Sequence, residues 1–319
     1  MPLSPANFVN SAHTPFPAGG KALWLERETG ARLRVGVFDR GEADKNWLLL
    51  LHGRSEFIEK YAEVIIELHA RGFDVVTMDW RGQGLSNRPL PDDPMKGHID
   101  DFQTYFDDLD ALWAELLVEE LSISSALPVL AHSMGGHISL RYAALNPGKV
   151  AKLAATAPMV DLPTMGLPKW VARGGAKLLC KIRGAEPYFL GQRPQVPEDF
   201  QFALNTVTKD EARFSADMAW LKACPQLALG GPTLGWVAAA IASIEETERT
   251  DFGPKLSMPI LLASARADRV VPCAAHDDLA ARLPNGTLLK IEGSEHEVLR
   301  ERDAIRAEFF KAFDGFMAA

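Results

Sequence analysis

Three cysteines in 319 residues are few. Cys180, Cys224 and Cys273 are scattered, odd in number and without C-x-x-C spacing, which argues against both a disulfide framework and a cysteine zinc site. A reducing compartment, the cytoplasm, is the expectation. Basic residues are also outnumbered: 34 Lys and Arg against 42 Asp and Glu leave a formal charge of −8, without the cationic excess that binds phosphate backbones. Nucleic acid is therefore not an expected partner. No apolar run approaches the ~18 residues needed to cross a bilayer. The opening MPLSPANFVNSAHTPFPAGG has neither a basic start nor the continuous apolar stretch of a secretory leader. Internal repeats and low-complexity tracts are absent too. What is present is 47% apolar residues, over a length sufficient for one or two domains with a large core.

The apolar pattern changes along the chain. KALWLERET (21–29) and ARLRVGVFD (31–39) alternate and are separated by Gly30, which predicts a hairpin. NWLLLLHG (46–53) and FDVVTMDW (73–80) are nearly continuous apolar runs, as expected of strands covered on both faces. Between them Tyr61, Val64, Ile65 and Leu68 keep helical spacing, giving a β-α-β unit. A helix with Ile99, Phe102, Phe106, Leu109, Trp113 and Leu116 on one face follows. Next come the strand PVLAHS, a helix near 136–146 and the strand VAKLAATAP. From about 162 to 253 the alternation gives way to helical pieces rich in Pro and Gly. It resumes with MPILLASARAD, a helix near 274–283, GTLLKIEG and a helix from about 297 to the end. The expected architecture is α/β: a mostly parallel sheet with helices on both faces, core residues 1–161 and 254–319, and an inserted helical cap over 162–253. In the cap, Trp236, Ala240, Ile241 and Ile244 form one apolar helix face, which suits packing on the other cap helices better than contact with an acyl chain.

One short stretch, PVLAHSMGGH (128–137), carries the chemistry. A strand ends at Ser133 and turns through small residues into a helix, the arrangement of a G-x-S-x-G nucleophile elbow with Ala131 in the first glycine position. A serine at a helix start is otherwise a common cap. A hydroxyl becomes a nucleophile only when an imidazole takes its proton and a carboxylate holds that imidazole in one tautomer. In the chain order nucleophile, acid, histidine, Asp268 follows the strand ILLASA and His296 follows the last strand, in IEGSEHEV. Asp161, after the preceding strand, is the rival carboxylate. His52, His132 and His137 are nearer in sequence. Yet His132 precedes the nucleophile in an extended segment, and alternation turns it away. The oxyanion needs two donors, expected from the backbone N–H of Met134 and of Arg54, the latter in the loop LHGRSEF. Arg54 and Glu56 are read first as an ion pair, and alternatively Arg54 as a partner for a substrate phosphate.

With these residues in view the sequence resembles the serine-dependent α/β-hydrolases, within them the monoacylglycerol lipase, lysophospholipase and S33 peptidase group. The likeness to L2-type lysophospholipases runs through GRSEFIEKY, GFDVVTMDWRGQGLSNR, AHSMGG and PQLALGGPTLGWV, from about residue 20 to the end. It implies the α/β-hydrolase fold, with Ser133, Asp268 and His296 as the triad and Arg54 and Met134 as oxyanion donors. An arginine at 54, where monoacylglycerol lipases carry a small residue, points to substrate choice.

The expected function is hydrolysis of carboxylic esters of lipid-like substrates through an acyl-enzyme, with neither metal nor organic cofactor. The partner is a small-molecule ester, with transient contact to a membrane surface. Two rivals stand beside it. An S33-type aminopeptidase would need acidic cap residues for a free amino group, and Glu186, Glu198 and Asp199 are available. A non-catalytic binding protein on the same fold has no need of a complete triad. Ser133 in the elbow excludes the aspartate nucleophile of dehalogenases. Asn87 in GQGLSN spoils a dinucleotide-binding G-x-G-x-x-G.

Overall fold

Leu48, Leu49, Leu50 and Leu51 are all at most 2% exposed, and they divide between two cores. Leu49 and Leu51 point into one and Leu48 and Leu50 into the other, the period-two alternation of a strand covered on both sides. Full burial of each leucine contributes roughly 2 kcal/mol. The computed structural model describes residues 3–10 and 16–319, so part of the N-terminal stretch read for a leader lies outside the described residues.

In chain order the strands are β1 (Ser4–Pro5), β2 (Gly20–Glu26), β3 (Arg32–Phe38), β4 (Trp47–Leu51), β5 (Asp74–Met78), β6 (Leu127–His132), β7 (Val150–Thr156), β8 (Ile260–Ala265) and β9 (Gly286–Ile291). They form one sheet in the order β1-β2-β3-β5-β4-β6-β7-β8-β9. The β1–β2, β2–β3 and β3–β5 pairs are antiparallel, and the pairs from β5 through β4, β6, β7 and β8 to β9 are parallel. The expected hairpin is β2–β3. On one face lie α1 (Ala62–Ala70) and α8 (Asp303–Ala318), through Val64, Leu68, Phe309 and Phe313. On the other lie α2 (Gln103–Ala111), α3 (Ser133–Leu145) and α7 (Cys273–Ala280), through Phe106, Leu109, Ile138 and Leu279. This is the α/β-hydrolase fold.

Helix boundaries differ from the sequence reading for local reasons. The helix expected near 136 starts at Ser133, because that residue itself makes the turn from strand to helix. The helix expected to carry Ile99 to Leu116 begins only at Gln103, after Ile99 and Phe102, is α-helical to Ala111 and continues in π-helical turns over Leu112–Glu120. The terminal helix splits into a 3-10 turn, Val298–Arg300, and α8.

Between β7 and β8 the chain adds α4 (Lys169–Arg183), α5 (Glu211–Ala223) and α6 (Leu234–Glu248), and no strand of the sheet. As the sequence leads one to expect, α6 packs against α4, and its apolar face also meets the core. Trp236 lies 6.0 Å from the Phe102 ring, and Ser243 accepts a hydrogen bond from Arg141 of α3 while pairing with His137 at 2.7 Å.

Candidate active site

Ser133 has φ 51°, a left-handed value that L-residues avoid, and it turns the chain directly from β6 into α3. The turn holds because small residues let backbone meet backbone. A Cβ on Gly135 would lie 2.5 Å from the carbonyl oxygen of His52 and 2.6 Å from that of Leu51, and one on Gly136 would lie 2.9 Å from the Pro158 side chain. Ala131, in the first glycine position, sits fully buried inside β6. Its methyl group fits where the two later glycines admit none.

The three residues named from the sequence meet at the carboxyl edge of the sheet. The Ser133 hydroxyl lies 2.8 Å from His296 Nε2, and His296 Nδ1 lies 2.6 Å from Asp268 Oδ2. The other Asp268 oxygen accepts the N–H groups of Val270 and Val271 at 2.7 and 2.9 Å, which fixes the carboxylate. Burial by itself would raise the Asp268 pKa. Its hydrogen bond with His296 and the two amide bonds outweigh that and hold it below the usual carboxylate range. Ser133 does not cap its helix, since its oxygen is directed to the imidazole.

The rivals have other partners. Asp161 binds Lys169 at 2.8 Å and Arg173 at 2.8 Å. His137 pairs with Ser243, and His52 Nδ1 lies 2.8 Å from the Gly53 carbonyl. His132 turns to Thr156, with its ring centroid 4.8 Å from that of His296. Burial pulls its pKa down to about 4, so near neutrality it adds no positive charge beside the His296 ring.

In the loop after β4, Gly53 N–H donates to Glu56 Oε2 at 2.5 Å and Ser55 N–H to Gln83 Oε1 at 2.6 Å. The Arg54 N–H between them has no acceptor among the described residues. The Met134 N–H belongs to the first turn of α3, where a helix offers no acceptor of its own. Gln83 was not legible as a site residue: its side chain ties the loop to the elbow, donating to the Met134 sulfur at 3.7 Å.

The expected Arg54–Glu56 pair does not form. Glu56 instead accepts from Tyr61 at 2.9 Å and pairs with Lys60 at 2.9 Å. The Lys60 ammonium also reaches Glu297 at 2.6 Å and Asp217 of α5 at 3.7 Å. Burial disfavours a lone ammonium, but its three carboxylates raise the Lys60 pKa. One cation thereby joins the loop after β4, the residue after His296, and α5. Arg54 keeps no carboxylate partner among the described residues. Its guanidinium donates to the Gly230 carbonyl at 2.6 Å and to Ser55 at 3.0 Å, and lies 5.3 Å from the Trp236 ring. Burial lowers its pKa to about 10, which leaves it charged at neutral pH.

Comparison with known proteins gives this geometry a family. The pattern of the family described as "Serine aminopeptidase, S33" matches residues 42–303. The chain belongs to this family. Among its relatives, lysophospholipase L2 of Escherichia coli (strain K12) is 34% identical over 279 residues, 84% of this chain and 79% of that protein. Monoacylglycerol lipase of Mycolicibacterium smegmatis is 26% identical over 274 residues, 85% and 88% of the two chains. A soluble variant of monoglyceride lipase from Saccharomyces cerevisiae, solved with a substrate analog, shares the fold at a TM-score of 0.75 and 19% identity, covering 98% of both chains.

In this S33 member a cavity of about 440 Å³ lies beside the loop after β4, and none of Ser133, Asp268 and His296 is among the residues that line it. Arg54 and Ser55 from the loop after β4, and Glu297 beside His296, form part of its wall. Apolar residues of the segment between β7 and β8, among them Leu204, Phe214, Met218 and Leu221, form much of the rest. Of the three acids considered for an amino-group site, Asp199 lines this cavity, with Arg193 at 3.2 Å. Glu198 is exposed, and Glu186 lines a separate cleft beside His98 and Lys96. Among the described residues no helix is long and apolar enough to cross a membrane.

Proposed function

We propose that this serine ester hydrolase cleaves the acyl ester of a lysophospholipid-like lipid through an acyl-enzyme on Ser133. One observation carries the reading: a single imidazole lies within hydrogen-bond distance of both the Ser133 hydroxyl and the Asp268 carboxylate. His296 takes the Ser133 proton as the oxygen attacks the ester carbon. The N–H groups of Arg54 and Met134 receive the oxyanion. The imidazolium, oriented by Asp268, then passes the proton to the departing alcohol. Water enters by the same base and the Ser133–acyl bond breaks, releasing a fatty acid and free enzyme. The segment 162–253 acts as a cap whose cavity-lining apolar residues, Leu204, Phe214, Met218 and Leu221 among them, hold the acyl chain. The three unpaired cysteines suit a reducing compartment, the cytoplasm.

Arg54 supports a phosphate in the leaving group. Its charge has no carboxylate partner among the described residues, and it stands in the cavity wall next to the position assigned to the oxyanion. A second reading, release of an N-terminal residue from a peptide, draws on Asp199, which offers a carboxylate to an ammonium in the same cavity.

The test is a substrate panel run on the wild type, Ser133→Ala and Arg54→Met. A fluorophosphonate labels wild type stoichiometrically and leaves Ser133→Ala untouched. Arg54→Met keeps its backbone donor and loses about tenfold or more in kcat/KM on lysophospholipid, with little change on monoacylglycerol. Equal losses on both lipids would remove the phosphate assignment. Faster turnover of aminoacyl amides than of any ester would favour the peptidase.

A further inference from the structure

Eleven large apolar side chains are at least 40% exposed among the described residues, and eight of them lie between Met165 and Leu204. Five gather at α4 and the turn before it: Met165 at 93%, Leu167 at 53%, Trp170 at 79%, Leu178 at 57% and Ile182 at 72%. Trp170, Leu178 and Ile182 share one stripe, being eight and four residues apart, and Gly174 completes the four-residue spacing. Over its fifteen residues α4 buries only Ala176. This is an amphipathic helix turned partly outward, its longest apolar side chains in solvent.

Charge decides what could cover the stripe. Lys169–Arg183 contains five cations and no acid. Lys169, Arg173 and Lys177 pair inward with Asp161, Glu245 and Glu248 and so tie α4 to α6. Lys181 and Arg183, beside Ile182, have no ion pair among the described residues. A second copy seated here would bring two acid-free cationic helices together, which like-charge repulsion opposes. A surface of negative headgroups over hydrocarbon matches both features: apolar side chains enter the acyl boundary, the tryptophan sits at headgroup level, and the cations meet the lipid charge. Because the chain as a whole carries −8, an anionic surface would repel most of the molecule and accept it through this helix.

We propose that the Trp170–Leu178–Ile182 stripe of α4, with Met165 and Leu167 before it, is a docking face for an anionic lipid surface. It locates on named residues a membrane contact that the ester-hydrolase reading leaves unplaced, and binding alone tests it, independently of turnover.

Full-length protein is sedimented with vesicles of phosphatidylcholine, and with vesicles in which about a third of the lipid is phosphatidylglycerol. Wild type binds the anionic vesicles about tenfold more tightly, and added salt weakens the difference. A Trp170→Ser/Ile182→Ser variant loses binding to both. A Lys181→Glu/Arg183→Glu variant loses the preference for anionic lipid, while both variants hydrolyse the soluble ester p-nitrophenyl acetate at the wild-type rate, showing that they fold. Vesicles shift the tryptophan emission to the blue in wild type and much less in Trp170→Phe. Equal vesicle binding by wild type and Trp170→Ser/Ile182→Ser would overturn the assignment. So would a wild type that ignores vesicles but dimerises through this stripe in sedimentation velocity.

Discussion

Ser133 is held in a backbone conformation that costs a non-glycine residue about 1–3 kcal/mol, and the packing of Gly135 and Gly136 against β4 and Pro158 sustains it. That strain presents the hydroxyl to His296 rather than to its own helix. Asp268 and Asp161 both follow strands at this edge, and their surroundings separate their roles: one faces an imidazole, the other an ammonium and a guanidinium. Asp268→Asn is accordingly expected to lower kcat about ten-thousandfold with little change in stability, while Asp161→Asn leaves kcat within about tenfold. Steady-state kinetics on p-nitrophenyl esters checks both. A larger loss at Asp161 would transfer the orienting role to it. The meeting of Ser133, Asp268 and His296 was legible because strand ends in a parallel sheet share an edge, so position along the sequence pattern implied position in space. Gln83 was not legible, since nothing in GQGLS says that its amide spans two loops.

Among the elements, one buried cation reaches the loop after β4, the loop carrying His296 and α5 together. Lys60 stands among Glu56, Glu297 and Asp217, and Glu56 in turn holds the Gly53 N–H next to Arg54. Arg300 offsets part of the charge of Asp217 at 2.7 Å. Removing the ammonium leaves buried carboxylates without their partner, a change that costs about 3–5 kcal/mol. Lys60→Met should therefore shift the urea midpoint downward by that amount and reduce kcat more than it raises KM, with Lys60→Arg recovering part of both. Unchanged stability and kcat in Lys60→Met would mean that the cluster fastens nothing. Sequence reading placed Glu56 against Arg54 because they are two residues apart. The fold sends their side chains to different neighbours, and local separation gave no hint of Asp217, more than 150 positions downstream.

Across the whole molecule, several imidazoles are buried in their neutral form. Burial lowers the pKa of His132 to about 4 and of His137 to about 3, while the same groups in an unfolded chain titrate near 6.5. Below that value the unfolded state takes up protons that the folded state refuses. Stability is thus complete above about pH 6.5 and falls as the pH drops toward 4. Each of these imidazoles costs roughly 2 kcal/mol at pH 5 relative to neutrality. Urea melts at pH 7 and 5 should differ accordingly, with a smaller difference in His137→Gln; coincident melts would refute the account. At this scale the sequence by itself determined the layered α/β architecture, the order of elements and the shared sheet edge of Ser133, Asp268 and His296, because apolar periodicity and strand-end positions are local properties that survive in one dimension. Only the tertiary structure decided that α6 meets the core as well as α4, that Lys60 rather than Arg54 neutralises Glu56, and that α4 leaves its apolar stripe uncovered. Those outcomes depend on which surfaces meet across long separations, and nothing in the chain's local pattern encodes such a meeting.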